Sequence, residues 1–245
     1  MKIKLACCIS AVLLLAGCAA PQAVPQAAPQ DVPQSATQPP EPTSEPLDAI
    51  SEATLERYRE GELREYEGVR LNPAVGPRDN SIAGIQHVDL STYTLTIDGL
   101  ANTPAEYTYD EVLAFPSEQR LITIHCVEGW DATILWKGVT MKDLLETVDP
   151  EAEANTVIFH AVDGYTTSLP LSEILDHNLM LAYDANGIPL PPEMGYPFIF
   201  VAEDKWGYKW ARWVNRIELS SDDSYQGFWE GYGYSNSGNL SEPSR

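Results

Sequence analysis

The chain has 245 residues, and 15 lysines and arginines stand against 36 aspartates and glutamates, a formal net charge of −21. So acidic a surface excludes nucleic acid and anionic lipid headgroups as electrostatic partners, since both need lysine and arginine to neutralise phosphates. With 44% hydrophobic residues, the chain has the apolar material for one domain of ordinary size.

Residues 1–18 read as an export leader. Lys2 and Lys4 precede an apolar run from Leu5 to Leu15, and Leu15-Ala16-Gly17-Cys18 is a small-residue cleavage site ending in cysteine. The run is too short for a membrane span. The pattern resembles a bacterial lipoprotein signal, which implies a lipidated Cys18, loss of Cys7 and Cys8, and an exported chain held at the extracytoplasmic membrane face by lipid alone. Over 19–46, Pro-Gln pairs recur every four residues from Pro21-Gln22 to Pro33-Gln34. Proline fixes φ and nothing there can build a core, so this segment reads as a semi-rigid tether.

Residues 47–91 form a lead-in to the main domain, 92–245. Leu55, Tyr58, Leu63 and Tyr66 lie at helical spacing and predict an amphipathic helix over 47–67 that Gly68 ends. Tyr93–Ile97 alternates like a half-buried strand that stops at Asp98-Gly99, and Thr108 with Glu111 has capping-box spacing. Leu121–Cys126 is a β-prone run, Met141–Thr147 and Leu171–Asp176 are short helices, and Val157–Ala161, Phe198–Val201 and Trp213–Leu219 are strands. Short helices among many strands, without regular strand-helix-strand units, predict an α+β fold.

Once the leader is processed, Cys126 has no disulfide partner. Two readings of a lone thiol are open: a small buried hydrophobe, or a thiolate metal ligand. Hydrolysis with Cys126 as nucleophile and His125 as base is disfavoured, because neighbouring strand residues point to opposite faces. His87, His160 and His177 are scattered without zinc spacing and read as structural.

The residues around Cys126 add more. His125-Cys126-Val127-Glu128-Gly129-Trp130, then Trp136-Lys137-Gly138-Val139, Asp163-Gly164-Tyr165, Leu181-Ala182-Tyr183 with Asn186-Gly187-Ile188-Pro189-Leu190-Pro191, Gly195-Tyr196-Pro197, Gly207–Trp213 and Gly227–Tyr232 follow one another in order. Over roughly Thr92 to Tyr234 this set resembles the molybdopterin-binding domain of the sulfite oxidase family, which includes the methionine sulfoxide reductase catalytic subunits. The resemblance implies an α+β molybdopterin-binding fold of mixed sheets and short helices. It also implies a molybdenum–molybdopterin cofactor whose metal takes one protein thiolate, Cys126. Further cofactor contacts carried over by position are Asn80, Asp163, Lys209, Trp210, Ala211 and above all Arg212, with Arg78 as a catalytic contact to a substrate anion. Two positions depart from the family pattern: Met194 stands where histidine or asparagine is common, and Ile199 where arginine is.

The resemblance thus implies an oxidoreductase moving an oxygen atom to or from a small substrate, with sulfite, a sulfoxide or another compound left open. No Cys-Xaa-Xaa-Cys-His haem site is present, so electrons would pass to a separate partner. The alternative is a cofactor-free binding domain that keeps the fold. The aromatic-rich stretch from Tyr225 to Tyr234 would pack over the cofactor region or close the core.

Overall fold

A computed structural model of the chain describes residues 60–74 and 80–245. The leader with Cys18, the tether, most of the expected helix over 47–67, and Arg78 lie outside the described residues. Helical backbone stops at Gly61, and Glu65–Tyr66 (β1) instead pairs antiparallel with Val69–Arg70 (β2). Glu67 and Gly68 both take positive φ, 49° and 80°, which closes a two-residue hairpin turn. Gly68 is therefore a hairpin residue and not a helix stop.

The domain then runs through Leu95–Gly99 (β3), Ala105–Tyr107 (β4), Tyr109–Leu113 (α1), Ser117–His125 (β5), Asp131–Thr140 (β6), Met141–Glu146 (α2), Thr156–Ala161 (β7), Thr166–Pro170 (β8), Leu171–Asp176 (α3), Met180–Ala185 (β9), Ile188–Pro189 (β10), Ile199–Val201 (β11) and Val214–Ser220 (β12). One sheet has the order β10-β9-β6-β5, with β11 also on β9, and the other the order β4-β3-β12-β7-β8. All pairings within them are antiparallel except β3 with β12. Among the described residues, three short α-helices beside one antiparallel and one mixed sheet make this an α+β fold, as the sequence pattern predicts.

Local signals explain several elements. The Thr108 hydroxyl accepts from the Glu111 backbone N–H while the Glu111 carboxylate accepts from the Thr108 N–H, the reciprocal cap that starts α1. Thr140 caps α2 by a single bond, its hydroxyl accepting from the Asp143 N–H at 3.1 Å. Tyr93, expected in a strand, precedes β3 and instead sends its hydroxyl to the Val214 carbonyl.

The sheets share one apolar core. Phe159 of β7 stacks on Phe200 of β11 with ring centroids 3.7 Å apart and planes 16° from parallel, so one aromatic pair joins the two sheets. Both rings are fully buried. Phe159→Ala should therefore cost about 3–5 kcal/mol of unfolding free energy, read from the urea midpoint of the mature protein at unchanged slope.

Candidate active site

The register of β5 against β6 delivers Cys126 to its position. The two strands pair from Ser117↔Val139 to His125↔Asp131, and the turn that joins them is 126–130. The Cys126 N–H donates to the Trp130 carbonyl at 2.9 Å and the Gly129 N–H to the Cys126 carbonyl at 3.0 Å, with Gly129 at φ 84°. The Cys126 thiol faces a cavity of about 280 Å³, while His125 turns away and its Nδ1 sits 2.7 Å from Asp131 Oδ1. This geometry removes His125 as a base for Cys126.

The thiol is unpaired with another cysteine and only 7% exposed. Asn80 Nδ2 donates to Sγ at 3.5 Å, and Sγ reaches Glu128 Oε2 at 4.0 Å, an oxygen that also accepts from the Trp130 indole at 3.1 Å. Burial pushes the Cys126 thiol up from its ordinary value and the Glu128 charge pushes the same way; the Glu128 N–H, the Arg212 charge and the Asn80 amide pull it down. Without a bound cation the sulfur keeps its proton. A metal ion would invert that balance, because a coordinated thiol is deprotonated outright.

Arg212 enters the same cavity from the segment before β12, and its Nη1 donates to the Glu193 carbonyl at 3.0 Å. Gly195 makes this approach feasible. It sits at φ 103°, and a Cβ there would lie 2.8 Å from Arg212 Cβ and 2.9 Å from its Cα. The neighbouring Trp213 takes φ 52°, a strained value for a bulky residue, and its indole donates to the Pro192 carbonyl at 2.8 Å. Strain of this kind is tolerated where surrounding bonds over-determine the backbone.

Asp163 lies in the turn between β7 and β8 and also lines the cavity. Its Oδ1 accepts from the Tyr165 N–H at 3.0 Å, the turn role expected of an Asp-Gly pair. The carboxylate also takes the Ile82 N–H, which fastens the segment bearing Asn80 to the site. Burial raises the Asp163 pKa from its ordinary value, while those amides and Arg212 lower it.

Of the sequence-predicted contacts, Asn80, Cys126, Asp163, Trp210 and Arg212 converge on the cavity. Lys209 does not. Its side chain turns inward, fully buried, and its ammonium donates to Glu230 Oε1 at 2.5 Å and to the Asn236 carbonyl at 2.9 Å. Ala211 is buried and holds β11 through its carbonyl, which accepts from the Phe200 N–H at 2.8 Å. Met194 and Ile199 belong to the apolar core and neither lines the cavity, so the exchange to apolar side chains there is satisfied by packing. Sequence reasoning missed Glu128, Trp130 and Tyr165 as individual wall residues, together with Arg245, whereas Tyr234 belongs to the aromatic stretch expected there. Their aromatic and charged character was visible, but only the fold shows which of them face inward. The aromatic stretch does both jobs expected of it: Trp229 lines the cavity and Phe228 packs on the core.

The residues present fit a molybdenum–molybdopterin group. Among the described residues, no grouping of three or more His, Cys, Asp or Glu could hold a metal ion, so a metal at Cys126 must arrive with its other ligands, as one carried by a dithiolene does. The buried Asn80 Oδ1 has no hydrogen-bond partner, and Arg212 supplies a cation for a phosphate.

Comparison with known proteins agrees with this chemistry. The family of the oxidoreductase molybdopterin binding domain matches residues 82–229. The uncharacterized oxidoreductase YuiH of Bacillus subtilis (strain 168) is 37% identical over 147 residues, covering 60% of this chain and 74% of that protein. The putative protein-methionine-sulfoxide reductase subunit YedZ1 of Azospira oryzae is 30% identical over 61% of this chain and 57% of its own length. The protein-methionine-sulfoxide reductase catalytic subunit MsrP of Gluconobacter oxydans is also 30% identical, over 52% of this chain and 46% of its own length. The chain thus spans about half the length of these two reductase relatives. Among solved structures, the sulfane dehydrogenase SoxCD from Paracoccus pantotrophus matches with a TM-score of 0.57 at 19% identity, over 69% of this chain and 53% of that one, a likeness of fold. A matched domain over most of the chain, with one inward thiol in a cavity beside an arginine, places the protein in the oxidoreductase molybdopterin-binding domain family.

Proposed function

We propose that the protein is an envelope-anchored molybdopterin oxidoreductase that moves an oxygen atom to or from a small, sulfur-containing substrate. The observation that carries this reading is the buried, unpaired Cys126 thiol, held in a cavity beside Arg212 within the family's own domain. When bound, the molybdenum cofactor supplies the two-electron, oxygen-atom chemistry. The sulfur preference is supported by the methionine-sulfoxide reductase names of two relatives, and lipid anchorage by the leader ending in Cys18. A separate electron-transfer partner fits a relative named as a catalytic subunit.

The protein's own residues perform four tasks in this reading. Cys126 would hold the metal through its thiolate, with Glu128 Oε2 4.0 Å from the sulfur as the nearby carboxylate that could take the thiol proton. The Asn80 amide donates to the sulfur and orients it. Arg212, fixed by the Glu193 carbonyl, neutralises the cofactor's phosphate. The walls of Trp130, Tyr165, Trp210 and Trp229 exclude water from the reacting centre.

Elemental analysis of the mature protein from its native host should give close to one molybdenum per chain. Cys126→Ser should lose the metal or leave it redox-silent, while a folded, metal-free native protein would overturn the reading. Asn80→Ala should lower metal retention about tenfold or more with the fold intact, followed by dialysis and circular dichroism. Gly195→Ala, strained at positive φ and pressing on Arg212, should cost about 1–3 kcal/mol in urea unfolding and weaken cofactor retention as well.

A further inference from the structure

Two of the residues that line the cavity, Tyr234 and Arg245, belong to a stretch beyond the family match, which ends at 229. That stretch is bonded along its length to the segment that carries the site. The Leu240 N–H donates to the Asp204 carbonyl at 3.1 Å, the Trp206 N–H to the Gly238 carbonyl at 2.8 Å, and the Tyr208 hydroxyl to the Ser235 carbonyl at 2.8 Å. Two buried lysines act as posts beneath it. Lys205 binds Glu173 and Asn239, and Lys209 binds Glu230 and Asn236. The Lys209 stem fills the space under Gly238, where a Cβ would meet its Cγ at 2.4 Å. The lysine that the family resemblance assigns to the cofactor thus holds a strap.

The strap delivers a guanidinium. Arg245 lies with its guanidinium carbon 4.2 Å from the centroid of the Tyr234 ring, a cation–π seat on a residue that itself lines the cavity. Arg64, Arg120 and Arg216 are tied to carboxylates. Arg245 forms no ion pair with a carboxylate among the described residues, although the chain offers 36 acidic residues. An arginine seated on an aromatic ring, with no carboxylate partner among the described residues, can present its planar donors to a ligand. Arg212, the other arginine at the cavity, is held by the Glu193 carbonyl next to the Cys126 side of the site's electrostatics.

We infer that Arg245 is a specificity residue: it recognises an anionic group of the substrate, a sulfur oxyanion, sulfonate or carboxylate, at a cavity wall that lies outside the matched domain. The inference rests on the oxidoreductase reading above. It makes the 230–245 strap part of substrate selection and leaves the cofactor's phosphate to Arg212.

The test is calorimetric titration of the native, molybdenum-assayed protein with sulfate and with dimethyl sulfone, an uncharged tetrahedral sulfur analogue, at low ionic strength. In Arg245→Gln, sulfate binding should weaken about tenfold and be largely restored in Arg245→Lys, as expected for loss and return of a charge-assisted contact. Dimethyl sulfone binding and molybdenum content should stay the same. Unchanged sulfate affinity in Arg245→Gln would overturn the inference, as would an equal loss for both probes, which marks a merely structural strap. Loss of molybdenum in Arg245→Gln would also overturn it, by assigning the residue to the cofactor's phosphate. A native protein without molybdenum that still binds sulfate through Arg245 would support the anion site while sinking the catalytic reading, so the two failures are distinguishable.

Discussion

A single sulfur, withdrawn from water but left facing a cavity, is the constraint around which this domain is arranged. Desolvation alone would keep the Cys126 thiol protonated and inert. Three features oppose that outcome: the Glu128 N–H, the Arg212 charge and the Asn80 amide all favour the thiolate. They come from three separate segments, so the environment of the sulfur exists only when both sheets are assembled. The nine paired positions of β5 and β6 fix where the turn begins, and a slip of one residue would point the sulfur to the opposite face.

The second theme is how a strongly acidic chain uses its few cations. Lys205 and Lys209 are almost wholly buried and each meets a carboxylate, whereas Arg212 and Arg245 reach the cavity. Burial lowers the pKa of Lys209 from its ordinary value and the Glu230 carboxylate holds it up. A buried pair of this type is weak support for net stability, because desolvation consumes most of the Coulombic gain. Its effect here is geometric: Glu230 Oε1 also accepts from the Thr167 hydroxyl at 2.6 Å, so one carboxylate ties β8, the Lys209 turn and the start of the strap together. The surface cations behave differently. Arg216 spans Asp98 and Glu218 across β3 and β12, a half-buried cross-strand network whose worth falls with salt.

What the sequence made legible follows from the range of each signal. The capping box at Thr108 and Glu111, the short helices after Thr140 and Pro170, and the β-branched runs of β7 and β12 are local patterns, and each forms close to where the pattern places it. β6 and β9 were not legible as strands. Their residues are buried on both faces for much of their length, which erases the alternation that marks a half-exposed strand. The amphipathic pattern continuing to Tyr66 failed for a related reason: its apolar spacing suits a helix, but Glu67-Gly68 at positive φ closes a hairpin. At the site, the ordered motifs located Cys126, Asp163, Trp210 and Arg212, yet charge alone could not show that Lys209 turns inward. Tyr234 was legible only as part of an aromatic stretch, and Arg245 reaches the cavity through contacts distant in sequence and carries no local signature.

The division of the cavity between matched and unmatched sequence has a mechanistic consequence. Cys126, Asp163, Trp210 and Arg212 all lie within 82–229, the stretch that carries the family's cofactor chemistry, whereas Asn80 and Ser81 lie just before it and Tyr234 and Arg245 after it. In the proposed reading the redox step would depend on the metal and the thiolate that holds it, and so would tolerate little variation in the first group. Substrate choice depends on shape and charge at the walls, and a wall built from flanking segments can change without disturbing the sheets that hold the sulfur. Asp163 joins the two regions, since its carboxylate takes the Ile82 N–H at the boundary of the leading segment. Lys209 does the same for the trailing one through Asn236 and Gly238. The leading flank is thus fastened to the cofactor domain by the half-buried Asp163 and the trailing one by the buried Lys205 and Lys209. That arrangement lets the outer wall hold a fixed geometry against the reacting centre although neither flank belongs to a sheet that surrounds it.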